Sequence, residues 1–323
     1  MTALGSGTGR CLRPRQLALL LLPLAAGSGA AAAPATLPVR LLFSVNGFSA
    51  ERPFCRPTAL AVDERRRTLY VADPDDHRIV AMSLQGVAGF TLEAGPAFAP
   101  VAIAVDRGGR LWVSDHATGG VKVFGASGKL EAELDLAALC GFPAGPAGRL
   151  ALDAGGNLYV VDPTHFRVLI FDAQRHFRLK IGQSGGREGQ FKSPESVAVD
   201  RFGRIHVTDS TGVPIQVFDP RGTFLYSTGR HGEAPGEVSL PSALCVDRFD
   251  QTWLVDTDQH QVVIYDRFGW ALRAFGEFGQ RTGQLFHPVD IALDGLGRVY
   301  VLEREGRRLQ VFTYDSPLDK FVR

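Results

Sequence analysis

A short apolar segment that ends in aspartate recurs six times, and its spacing limits the fold of this chain more than any other feature. The six aspartates are 43 residues apart once and then 47 residues apart four times. Repeats of this length predict an array of equivalent units rather than a single motif. The six segments are PTALAVD (Pro57–Asp63), PVAIAVD (Pro100–Asp106), AGRLALD (Ala147–Asp153), PESVAVD (Pro194–Asp200), PSALCVD (Pro241–Asp247) and PVDIALD (Pro288–Asp294).

Each repeat continues with a second alternating segment that ends in an acid, and then with two more alternating segments. Alternation of apolar and polar residues predicts half-buried strands, so each repeat holds four of them. Four-stranded units at this period are typical of β-propeller blades. The second acids are Asp73, Asp115, Asp162, Asp209, Asp256 and Glu303.

The last repeat has only three strands of its own, and the chain before the first repeat supplies a fourth. VRLLFSVNG (Val39–Gly47) is similar to the fourth strands of other repeats. Pairing it with the last repeat would close the ring and remove its open edges. We therefore predict an all-β fold, a six-bladed propeller over residues 39–315 with its amino-terminal strand in the last blade, and a tail at 316–323.

The repeated pattern, a proline, an apolar run to aspartate, a second strand to aspartate and then a strand such as IQVF, resembles the NHL repeat. The resemblance covers about residues 39–315, six times over, although the third repeat begins irregularly with CGFPAGPAGRLALD. It implies four-stranded NHL-type blades. Propellers of this kind share a fold and not a function, so the resemblance implies no activity.

Residues 1–33 differ from the rest of the chain. Arg10, Arg13 and Arg15 precede an apolar run and an alanine-rich stretch, and there is no acid. This order is typical of an export signal, with an uncleaved membrane anchor as the alternative. The protein is then periplasmic or secreted. Without this leader 32 basic residues would face 34 acidic ones, a balance that favours no nucleic-acid partner.

The residue after the leading proline of each repeat is predicted to lie near the mouth of the central channel. Propeller enzymes that resemble this fold hold metals there: the peptide-amidating lyase through histidines, and gluconolactonase-type propellers through asparagine or aspartate. Zinc needs three or four ligands and calcium needs six or more, whereas these six positions offer one carboxylate and no histidine. We therefore predict no metal site here. The six positions hold Thr58, Val101, Ala147, Glu195, Ser242 and Val289.

Glu195 is the one carboxylate at these positions. It could bind a cation or act as a general base, or it could be a solvated residue paired with Lys192. Asp290 lies one place further along its repeat and would contribute only in a different strand register. Six of the eight histidines lie in loops on the same face and are either a binding rim or turn residues. The candidate ligand-binding residues are therefore Glu195, Lys192, His287, Asp290, His165 and His260.

The opposite face carries aromatic residues on turns of the fourth and fifth repeats. They either form a docking patch for a protein partner or fold back on their own blades. No cysteine pair has the CxxC spacing of a metal site, and a disulfide is not favoured. The patch consists of Phe202, Phe249, Phe268 and Trp270.

Two functions remain open. The main prediction is a monomeric, non-enzymatic binding module for a protein, peptide or glycan, with no cofactor, no metal and no catalytic residue, which would touch a membrane only through an uncleaved leader. The alternative is a divalent-metal-dependent hydrolase or lyase with its site at the mouth of the central channel.

Overall fold

The computed structural model describes Ala35, Thr36 and residues 38–314. The predicted leader (1–33), residue 315 and the predicted tail (316–323) lie outside these residues. The described part of the chain forms 25 strands, one short α-helix and two turns of 3-10 helix. No helix among these residues is long and apolar enough to cross a membrane.

Blades one to three each consist of four antiparallel strands in chain order. In blade two the innermost strand, β7, pairs with β8 and so on outward to β10. The strands are β3 (Ala59–Asp63), β4 (Thr68–Asp73), β5 (Arg78–Ser83) and β6 (Ala88–Glu93); β7 (Pro100–Val105), β8 (Leu111–Asp115), β9 (Val121–Phe124) and β10 (Leu130–Leu134); and β11 (Leu150–Leu152), β12 (Leu158–Asp162), β13 (Arg167–Phe171) and β14 (Phe177–Ile181).

Blades four to six follow the same plan, except that the sixth takes its outer strand from the start of the chain. Pro74–Asp76 and Pro163–His165 are the 3-10 turns, and α1 (Leu136–Cys140) lies between blades two and three. The strands are β15 (Pro194–Val199), β16 (Ile205–Asp209), β17 (Ile215–Phe218) and β18 (Phe224–Thr228); β19 (Pro241–Val246), β20 (Thr252–Asp256), β21 (Gln261–Tyr265) and β22 (Ala271–Phe275); and β23 (Pro288–Leu293), β24 (Arg298–Glu303) and β25 (Arg308–Tyr314).

The amino-terminal strand β2 (Val39–Val45) closes the ring. It runs antiparallel to β25, with registers from Val39 opposite Tyr314 to Val45 opposite Leu309. The predicted six-bladed propeller and its closure are therefore confirmed. A further strand, β1 (Ala35–Thr36), adds in parallel to the outer edge of blade five, which the sequence did not indicate.

The apolar core lies between the blades. Separate clusters of buried side chains join blades one to three, three to four, four to five, five to six, and six back to one. Each blade therefore buries both faces against its neighbours, and blades three and six stand on opposite sides of the central channel.

The repeated acids are structural, as their regularity predicts. The acid that ends each second strand accepts backbone N–H groups from the loop before the first strand: Asp209 accepts from Lys192 (2.7 Å) and Ser193 (2.9 Å). The aspartate that ends each first strand accepts turn amides, as Asp200 does from Phe202 (2.9 Å). Asp and Glu therefore hold loops in place here.

A β-bulge follows the leading proline in blades two, four, five and six. In blade four Pro194 faces Asp209 and Ser196 faces Thr208, so Glu195 is the extra residue. A bulge re-aims the extra side chain, and here it turns the residue out of the blade. In blade three, Gly148 donates to Val161 (2.9 Å), which shows that Gly148, and not the predicted Ala147, is equivalent to Glu195.

Candidate active site at the channel mouth

Two loops of the same blade meet at one end of the channel in blades two, four, five and six. There the residue after the second acid donates its backbone N–H to the loop before the first strand, whereas in blades one and three this residue is a proline. Ser210 donates to Ser193 (2.9 Å), Thr257 to Leu240 (3.0 Å) and Arg304 to His287 (3.0 Å). This pairing brings the residue after the second acid beside the bulged residue, and together they form the rim of the mouth.

Glu195 projects from its bulge at this rim and is exposed to solvent. Its Oε1 accepts hydrogen bonds from Ser210 Oγ (2.9 Å) and Ser193 Oγ (3.2 Å). Among the described residues Lys192 forms no ion pair with it. The two hydroxyls fix the position of the carboxylate, and the exposed side chain stays accessible from solvent.

An ion pair crosses the channel below the rim. Arg149 of blade three contacts Asp290 of blade six (Nη1 to Oδ1, 2.9 Å), and their side chains are 19% and 10% exposed. Arg149 Nη2 also donates to the backbone oxygens of Val289 (2.6 Å) and Thr58 (3.2 Å). Asp290 Oδ2 accepts the N–H of Leu60 (2.8 Å). Asp290 therefore lies in the channel directly after the β-bulge of blade six, and it is committed to Arg149.

Arg304 lies at the rim position that Ser210 and Thr257 occupy in blades four and five. It is half-buried, and its Nε is buried without a hydrogen-bond partner among the described residues. Burial lowers the pKa of its guanidinium, as do the nearby charges of Arg56 and Arg149, while Glu305 and Glu195 act in the opposite direction. Charged groups from blades one, three, four and six therefore converge at the mouth.

The side chains of the predicted histidines contact residues other than Glu195. His165 contacts Asp162 of its own blade (Nδ1 to Oδ2, 3.0 Å). His260 and His287 are neighbours, with ring centroids 4.8 Å apart, and the N–H of His287 donates to His260 Nδ1 (3.2 Å). Burial, and then the charge of His287, lower the pKa of His260. These contacts agree with turn residues and do not bring the histidines to Glu195.

The aromatic residues of the opposite face are partly exposed. Phe202, Phe268 and Trp270 are 60%, 68% and 67% exposed, and Phe249 is half-buried. The arginine before each phenylalanine lies over its ring, as Arg267 does over Phe268 (4.9 Å). The prediction that these residues form a partner patch stays a prediction.

Arg149 and Arg304 were not among the residues predicted from the sequence. Both stand out when the repeats are aligned on their 47-residue spacing, because their types differ from those of most equivalent residues. Arg149 and Asp290 hold the same repeat position three repeats apart, where the other repeats have alanine or serine. Arg304 holds a position at which the other repeats have Pro74, His116, Pro163, Ser210 and Thr257.

The fold places the chain among six-bladed β-propellers, and solved structures agree. A gluconolactonase from Xanthomonas campestris has a TM-score of 0.64 at 17% identity, over 89% of this chain and 98% of that one. Virginiamycin B lyase from Staphylococcus aureus has 0.61 at 11%, over 86% and 100%. A protein of unknown function from Bacteroides thetaiotaomicron has 0.65 at 17%, over 87% and 73%. No protein-family model and no curated protein sequence matches the chain.

At these identities the likeness establishes the fold. It contradicts the main functional prediction, a non-enzymatic binding module, because both neighbours with a named activity are enzymes. The alternative prediction, a hydrolase or lyase with its site at the channel mouth, is the better supported of the two.

Proposed function

We propose that this protein is a hydrolase or lyase whose active site is the mouth of the central channel. The observation that supports it most is the placement of Glu195, a single carboxylate held by two serine hydroxyls beside Arg304 and above the ion pair of Arg149 and Asp290. Such a pairing of one base with fixed positive charge is what acyl-transfer and elimination chemistry require.

Glu195 is proposed as the general base. In hydrolysis it takes a proton from the water that attacks an ester carbonyl and returns it to the departing alkoxide. In elimination it takes a proton from the carbon next to the bond that breaks; the electron pair of that C–H bond forms the double bond and the leaving group departs. In both reactions negative charge develops on the carbonyl oxygen, and a guanidinium at the mouth stabilises it.

The metal of the alternative prediction does not suit these residues. The described part of the chain contains no group of three or more His, Cys, Asp or Glu side chains that could hold an ion. Asp290 is bound to Arg149, and the charges gathered around Glu195 include arginines, which repel a cation. The proposed mechanism therefore uses no metal ion, and we expect a chelator to leave the rate of turnover unchanged.

We also propose that the protein is an NHL-repeat propeller, which the repeat pattern supports. We propose in addition that it is exported, which the composition of residues 1–33 supports.

The test is turnover by the purified chain of two probes chosen from the neighbours' names, a gluconolactone and virginiamycin B. We expect cleavage of at least one, and a loss of about a hundredfold or more with Glu195→Gln, because the amide keeps the size of the side chain and cannot accept the proton. Glu188→Gln is the matched control, since Glu188 is exposed in the loop before the same strand and its side chain has no partner among the described residues.

An unchanged rate in Glu195→Gln would place the chemistry elsewhere. Failure of the parent protein to cleave both probes would count against the proposed activity.

A further inference from the structure

Arg304 differs from its equivalents in blades four and five because its side chain has no partner among the described residues. Ser210 Oγ donates to Glu195 (2.9 Å), and Thr257 Oγ1 donates to the backbone oxygen of Pro288 (2.7 Å) and lies 2.8 Å from the hydroxyl of Ser242. The guanidinium of Arg304 makes no hydrogen bond or ion pair with any described residue, and its Nε is buried. A guanidinium carries five N–H donors in a planar fork, so several directed donors are left for a ligand.

The charges that act most strongly on Arg304 are positive. Arg56, on the loop before the first strand of blade one, and Arg149 both act on it as like charges. Like charges gathered in a partly buried site are costly unless an anion compensates them. Asp290 compensates Arg149 directly, but no carboxylate among the described residues contacts Arg304.

The donors of Arg304 indicate the class of the ligand. Glu305 and Glu195 act on Arg304 as opposite charges, but both are exposed to solvent, and neither forms a hydrogen bond or ion pair with it among the described residues. An anion at the mouth would pair with the guanidinium, and a carboxylate matches its fork with two parallel hydrogen bonds.

We propose that the channel mouth binds a small molecule that carries one carboxylate, held by Arg304 and Arg56 beside Glu195. This rests on the proposed function, in that it names the substrate class of the same site. The carboxylate of the substrate lies on Arg304, which brings the rest of the molecule to Glu195, and Arg56 at the exposed rim adds a second positive charge.

The experiment measures equilibrium binding by isothermal titration calorimetry in buffer of low ionic strength without chloride. The probes are glycolate, its uncharged isostere glycolamide, and inorganic phosphate. We expect glycolate to bind and glycolamide not to bind. Arg304→Gln is expected to weaken glycolate binding tenfold or more, with a smaller loss for Arg304→Lys, which keeps the charge and lacks the fork.

The control is Arg281→Gln, since Arg281 is an exposed arginine in the loop before blade six and its side chain has no partner among the described residues. It should bind glycolate as the parent does, and thermal midpoints should show that all variants are folded. Equal binding of glycolate and glycolamide, stronger binding of phosphate than of glycolate, or unchanged binding in Arg304→Gln would each overturn the proposed ligand class.

Binding and turnover separate this inference from the proposed function. Glu195→Gln should still bind glycolate even where it no longer cleaves a substrate. If Arg304→Gln loses glycolate binding while Glu195→Gln keeps full activity, the carboxylate site stands and the catalytic proposal fails. If Glu195→Gln is inactive while Arg304→Gln binds glycolate normally, the catalytic proposal stands and the carboxylate site fails.

Discussion

At the scale of single residues, repetition separates structural acids from functional ones. Asp73, Asp162 and Asp256 have the same structural role in three blades, because each accepts backbone N–H groups from a loop. Glu195 and Arg304 each occupy a position that the other repeats fill with uncharged residues, and Arg149 occupies one where four repeats have alanine or serine and the sixth has Asp290. The sequence predicted Glu195 by this criterion. It did not predict the two arginines, because their roles depend on contacts between blades that are distant in the chain.

Asp200 should make the protein sensitive to acid. Burial alone would raise its pKa, but hydrogen bonds from His206 and Arg204 outweigh this effect and lower the pKa from 3.8 to about 2. A carboxylate with a lowered folded pKa stabilises the fold above its unfolded pKa, and this contribution disappears as the pH falls from about 4 to about 2. We expect Asp200→Asn to be less stable than the parent at pH 7, with the difference shrinking through that window.

Urea unfolding between pH 2 and pH 7 measures this difference. Asp266→Asn is the control, because Asp266 caps a similar turn through the backbone N–H groups of Phe268 and Trp270 and forms no ion pair among the described residues. A difference between Asp200→Asn and the parent that stays constant from pH 5 to pH 2 would contradict the prediction.

At the scale of elements, strand periodicity predicted the blades well, while the connection between blades two and three was missed. Its sequence departs from the repeat because α1 occupies it. Asp135 caps the start of this helix by accepting the N–H of Ala138 (3.1 Å), and Gly141 ends it in a left-handed conformation (φ 73°). The helix is too short for periodicity to reveal, and only the capping residues could have indicated it.

The closing strand β2 offers a direct test of ring closure. Leu41 packs partly buried against the core between blades five and six, whereas its neighbour Leu42 is exposed. Leu41→Asp places a charge in that core and should destabilise the protein by about 2 kcal/mol or more, while Leu42→Asp should change stability by about 0.5 kcal/mol or less. Chemical unfolding of the two variants measures this, and equal losses would show that β2 does not seal the ring.

At the scale of the whole molecule, the pair of Arg149 and Asp290 links opposite sides of the propeller. The fold could be predicted from repeats because each blade is local in sequence. This link could not, since its partners are 141 positions apart and meet only when the ring has closed.

Arg149→Met should destabilise the protein by about 3 kcal/mol, because it leaves Asp290 largely buried without its counter-ion. The double variant Arg149→Met/Asp290→Leu removes both charges and should recover much of that loss. Thermal and urea unfolding of the parent, the single and the double variants form the comparison. A double variant that is less stable than the single one would show that the pair is a net source of stability.

Ring closure by β2 also sets an order of events during synthesis. Val39 to Val45 are made before every complete blade, yet their partners, Leu309 to Tyr314, are made after all the other described strands. Throughout that interval the first blade has one uncovered face, because the sixth blade that covers it has not been made. The ring therefore closes only after Tyr314 has left the ribosome, and a holding chaperone would have its longest access to the first blade.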